Sequence, residues 1–102
     1  MSAIGHLEAR IAQFRDFFLM HTAQPGTLAV IDEFIGRVRI HAQGPAHPGD
    51  AVQTSQGLVS LQIIAIRAIV ESMDIADGIK SELLRRADVI EAAALLMLAL
   101  VE

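Results

Sequence analysis

A chain of 102 residues with a formal charge of −4 has room for one hydrophobic core and carries no basic stripe, which argues against nucleic acid and anionic membrane as partners. It contains no cysteine, so disulfides, thiolate metal sites and thiol chemistry are excluded. Hydrophobic residues make up 53% of the sequence, above the usual range of about 45–50%, and the surplus is aliphatic, with no Trp or Tyr and four Phe.

No run reaches ~18 uninterrupted apolar residues, so no membrane span is expected. The opening MSAIGHLEAR lacks a basic start followed by an apolar run. No signal peptide is therefore expected, and the predicted location is cytoplasmic. Lys80 is the sole lysine, a compositional bias common in GC-rich bacterial genomes. Residues 1–102 read as a single domain.

The first predicted helix covers residues 3–22. Ile4, Leu7, Ile11, Phe14 and Phe18 recur at steps of three and four, with Phe17 and Met20 alongside. Ser2 is placed to cap the start, and Glu8, Arg10, Arg15 and Asp16 fall on the wet side. Gly5 weakens the first turn by roughly 1 kcal/mol relative to Ala. Gln24-Pro25-Gly26-Thr27 then breaks the pattern, with Thr27 the expected N-cap of the next helix.

The second helix is expected over 28–42. Ile31, Phe34, Val38 and His41 make one stripe, and Leu28, Ile35 and Ala42 another. Glu33 and Arg37 have the spacing of a helical ion pair. Gly36 in mid-helix permits close approach of a neighbour or is a tolerated weak spot. The segment Gly44-Pro45-Ala46-His47-Pro48-Gly49 cannot continue a helix. Asp50 and Gln53 have capping-box spacing and open a third helix over 51–73.

That third helix is the greasiest. Val59, Ile63, Ile66, Val70 and Met73 form one stripe, and Leu58, Leu61, Ala65 and Ile69 a second. The polar stripe of Ser60, Arg67, Glu71 and Asp74 is narrow and is interrupted by Ile64. Asp77 is the expected cap of a fourth helix over 78–101, with Leu83, Ala87, Ile90, Ala94, Met97 and Val101 in register and Glu82 paired with Arg86. From Ala92 to Val101 there is no polar side chain.

These lengths and connections fit an all-α fold, a four-helix up-and-down bundle. In a lone bundle each helix buries about three-sevenths of its surface, so the C-terminal run would leave several large side chains in water. Covering about five of them is worth roughly 7–15 kcal/mol. Association costs about 4–15 kcal/mol. The expectation is a homodimer with helices 3 and 4 at the interface, through Val59, Ile63, Ile66, Val70, Leu95, Leu96, Leu98 and Leu100.

Signs of chemistry are sparse. The topology brings His6, His41 and His47 toward one pole, with imidazoles that suit Zn, Ni or Cu. No HxxxH or ExxH pair supports them, so no metal and no cofactor are expected. Glu71, Asp74 and Asp77 read as solvated groups at a helix end. His21 closes the aromatic stripe of the first helix, where Phe14, Phe18 and Phe34 would line a pocket with it. Arg67 is the charged residue of an apolar helix and the first to test for catalysis, its simpler role being a salt bridge to Glu71. GxSxG, P-loop, GxGxxG and HExxH motifs are absent. No family resemblance is evident. The sequence therefore favours a non-catalytic interaction module, a homodimer that scaffolds or regulates a partner protein. The alternative is a small-ligand-binding bundle or minor enzyme with a Phe-lined pocket and a His or Arg.

Overall fold

The structure, a computed structural model, describes residues 2–45 and 51–100. Its helices are α1 (Ala3–His21), α2 (Pro25–His41), α3 (Val52–Glu71) and α4 (Asp77–Ala99), and no strand occurs among the described residues. The architecture is the expected all-α bundle. α1 packs on α4, α4 on α3 and α3 on α2, while α1 and α2 meet more lightly.

Each helix turns one stripe inward, as the 3.6-residue period requires. α1 buries Leu7, Ile11, Phe14 and Phe18, and α2 buries Leu28, Ile31, Ile35 and Val38. α3 contributes Val59, Ile63, Ile66 and Val70, and α4 contributes Leu83, Ala87, Ile90, Ala94 and Leu98. Phe14 and Phe18 are fully enclosed, with ring centroids 6.4 Å apart. Burying a side chain of this size stabilises the fold by about 1.5–3 kcal/mol.

Polar contacts tie three of the four helix pairings. Between α1 and α4, Arg86 donates to the Gln13 carbonyl at 3.0 Å, and its guanidinium lies 4.6 Å from the Phe17 ring centroid. Between α3 and α4, Arg67 donates to Asp88 at 2.8 Å, and Lys80 donates to the Glu71 carbonyl at 3.0 Å. The light α1–α2 seam is spanned by two forked pairs, Arg15 with Asp32 at 2.9 Å and Arg39 with Glu8 at 2.7 Å. The Glu8 hydrogen bond holds the Arg39 guanidinium above its ordinary pKa. Both pairs are about two-fifths exposed, so each is worth no more than ~1 kcal/mol.

The helix ends follow local chemistry, with differences from expectation. Ser2 Oγ accepts from the Gly5 N–H at 3.1 Å, capping α1 as expected. α2 begins at Pro25 rather than residue 28, because Pro suits the first turn, where its missing N–H costs nothing. Thr27 is therefore not the cap; its hydroxyl donates to Gln24 Oε1 at 3.2 Å. The cap position of α3 is Ala51, without a side-chain bond, and Asp50 lies outside the described residues. Ala76 caps α4, so Asp77 falls inside the first turn, where its charge complements the helix dipole. Gly44 follows α2 with φ of 103°, a left-handed value that glycine adopts without steric cost.

Two side-chain expectations also change. Arg37 does not bridge Glu33; its guanidinium lies over Phe34, 5.0 Å from the ring centroid. Gly36 is not a point of close approach, since a Cβ added there would meet nothing within 4 Å. The expected Glu82–Arg86 pair forms at 2.8 Å, and Arg85 joins it at 2.6 Å.

Candidate functional site

α3 is the only described helix whose solvent face is largely apolar over several turns, and that follows from its two hydrophobic stripes. One stripe is consumed by the core. Val59, Ile63, Ile66 and Val70 are 0–1% exposed and lie within the protomer, as does Leu98 of α4. These residues are therefore not surface contacts, which corrects their assignment to an interface. The reason is geometric: the stripe with four β-branched side chains in continuous register fills the space between α2 and α4.

The outward stripe of α3 is Thr54, Gly57, Leu61, Ile64, Ala68 and Glu71, spaced alternately by three and four residues and exposed at every position. Leu61 is 57% and Ile64 61% exposed. No charge lies on this stripe before Glu71. On the α2 side its shoulder is Leu58, Ala65 and Ile69, all half-buried and apolar. On the α4 side the shoulder is Gln56, Ser60 and Arg67, all polar. The apolar surface thus widens toward α2, where Val30 faces a groove shared with Ile69, and Ile40 one shared with Leu58. Val30 and Ile40 are themselves exposed. Leu96 lies two turns beyond Asp88 on the outer face of α4 and is also exposed.

The C-terminal apolar run is only partly enclosed. Ala93, Ala94 and Leu98 are buried, Leu95 and Met97 are half-buried, and Leu96 and Leu100 point outward. Val101 and Glu102 lie outside the described residues.

The residues expected to form a pocket do not come together. Phe14 and Phe18 fill the core, and Phe34 is half-buried beneath Arg37. His21 is exposed and rests against Phe17, ring centroids 4.3 Å apart. Arg67 sits across the bundle in a surface network with Asp88 at 2.8 Å, Glu71 at 3.8 Å and the Leu84 carbonyl at 3.4 Å. Both carboxylates are more than half exposed, so the arrangement ties α3 to α4 and encloses no substrate. His6 and His41 are half-buried, and His47 lies outside the described residues. Among the described residues no three His, Asp or Glu side chains converge as metal ligands, and this includes Glu71, Asp74 and Asp77.

A polar cleft between α1 and α4 is lined by Arg10, Gln13, Arg85, Arg86 and Val89. Its charge is partly cancelled by Glu82, whose carboxyl is held down to about 2 by hydrogen bonds from Arg85 and then Arg86. The outward face of α3 escaped sequence reasoning because both stripes of that helix read as apolar. The available signal was Ile64 standing inside the polar stripe. No helix is long and apolar enough to cross a membrane among the described residues. No protein-family model, no curated protein and no solved structure matches the chain.

Proposed function

We propose that this protein is a non-catalytic interaction module that works as a homodimer, with the outer face of α3 as the contact between copies. The remaining bundle surface then scaffolds or regulates a partner protein. The observation that carries this reading is the exposed, uncharged run Gly57–Leu61–Ile64–Ala68, widened toward α2 by Val30 and Ile40. Contiguous apolar patches on soluble proteins mark contact sites more often than isolated exposed residues do.

The magnitudes support a second copy as the occupant. Leu61, Ile64, Val30 and Ile40 are each 46–64% exposed. Covering the remainder of one such side chain is worth about 0.8–1.5 kcal/mol. A two-fold contact covers each residue twice, so eight side chains together give roughly 6–12 kcal/mol. That is comparable with the estimated cost of association, about 4–15 kcal/mol. A dimer of micromolar strength or better is the expected result.

The test is a light-scattering mass over a concentration series in dilute buffer. Twice the protomer mass at micromolar concentration supports the proposal. A protomer mass up to ~100 μM, where a dimer weaker than about −5.5 kcal/mol would be needed to escape detection, overturns it.

A further inference from the structure

Resting on the homodimer reading, we infer that the two α3 helices pack antiparallel about a two-fold axis that passes between Leu61 and Ile64. The outward stripe reads the same in both directions. From its centre, each end meets first a large aliphatic residue, then a small one, then a polar one: Leu61, Gly57, Thr54 on one side and Ile64, Ala68, Glu71 on the other. The alternating three-four spacing is symmetric about the same point. A two-fold contact joins a patch to itself in reverse order, so a palindromic stripe is self-complementary. Leu61 then faces the partner's Ile64, Gly57 faces the partner's Ala68, and Thr54 faces the partner's Glu71.

Gly57 is compatible with this pairing. It stands in the first half of α3, where glycine is less favourable than Ala. A Cβ added to it would meet nothing within 4 Å in the protomer, so no neighbour inside the bundle accounts for it. It leaves room for a second backbone at Gly57 and Ala68, because small residues let helix axes come within ~8 Å. Two seams of small residues flanking a large pair keep the Leu61–Ile64 contacts at the centre, sealed from water.

Charge selects the antiparallel sense. A parallel pairing would stack Glu71 on the partner's Glu71, a like-charge contact, and align the two helix dipoles. The antiparallel pairing sets Glu71 beside a hydroxyl and opposes the dipoles.

The chain has no native cysteine, so introduced thiols report on the geometry alone. Gly57→Cys and Ala68→Cys are made separately, oxidised alone and as an equimolar mixture, and resolved by non-reducing electrophoresis and mass spectrometry. The expected result is a disulfide between the two different variants, at least tenfold more abundant than either self-disulfide. The two positions lie eleven residues, or ~16 Å, apart along the helix, far outside the ~4.4–6.8 Å between Cα atoms that a disulfide spans. Efficient self-disulfides of each variant would show a parallel seam and overturn the inference while leaving the homodimer intact. A dimer mass with no disulfide in any sample would place the contact elsewhere and overturn both the inference and the α3 contact, leaving only the dimer. A protomer mass for the unmodified protein would remove the inference together with the homodimer.

Discussion

Replacing Leu61 with Glu separates association from folding. In the protomer, Leu61 is 57% exposed, and both residues are good helix formers. The substitution should therefore change protomer stability by no more than ~0.5 kcal/mol. In the dimer, each copy loses the burial of the part of Leu61 that the partner covers, about 0.9–1.7 kcal/mol. The two-fold doubles this to roughly 2–3.5 kcal/mol, which weakens the dimer by about 30- to 300-fold. Sedimentation equilibrium on both proteins reads that shift directly, and thermal melts followed by circular dichroism supply the control. The unmodified protein should melt higher as its concentration rises, because dimerisation stabilises by mass action, and Leu61→Glu should lose that dependence. Ala12→Glu, a change at an exposed position of α1, should leave both readouts alone. A dissociation constant within threefold of the unmodified protein would refute the argument that this face carries the contact.

Other changes test the packing. Ile63→Ala, two residues from Leu61 but 1% exposed, should cost about 2–5 kcal/mol and lower the Tm by ten degrees or more, where Leu61→Glu does not. Gly36→Ala should stabilise the protein by about 0.5–1 kcal/mol in urea titration, since α2 gains helix propensity and the new methyl meets no neighbour. Glu82→Gln should flatten the acid limb of the stability curve. Arg85 and Arg86 hold the folded carboxyl at about 2, below its ordinary 4.5. Its contribution is thus complete above pH ~4.5 and is lost as pH falls toward 2. Melts across that window should fall less steeply for the variant, and the difference should shrink in high salt. Equal slopes would show that the ion cluster contributes nothing to folding.

Among the described residues, His6, His21, His41, Arg67 and the Phe cluster show how a residue type can draw attention without forming a site. Phe14 and Phe18 are large and apolar, and the bundle uses them as core filling. Arg67 stands in an apolar helix because the α3–α4 seam reaches the surface at that point, where Asp88 meets it. By spacing Glu8 and Arg15 fall on the wet side of α1, yet they pair with Arg39 and Asp32 of α2 in two forked contacts. Nothing in the spacing of one helix shows which face of a neighbour a charged side chain will meet.

The sequence alone determined the number of helices, their approximate spans and most of the inward residues of α1, α2 and α4, because a 3.6-residue period and the Pro-Gly breaks are local properties of the chain. It placed two apolar stripes on α3 but not which of them faces inward. Tertiary packing decided that: Val59, Ile63, Ile66 and Val70 close the core between α2 and α4, leaving Leu61 and Ile64 in water. Helix 3 touches neighbours on two sides only, and its third side stays uncovered within one chain. Which side that is depends on how the four helices rotate against one another, a property of the whole bundle that no single helix encodes.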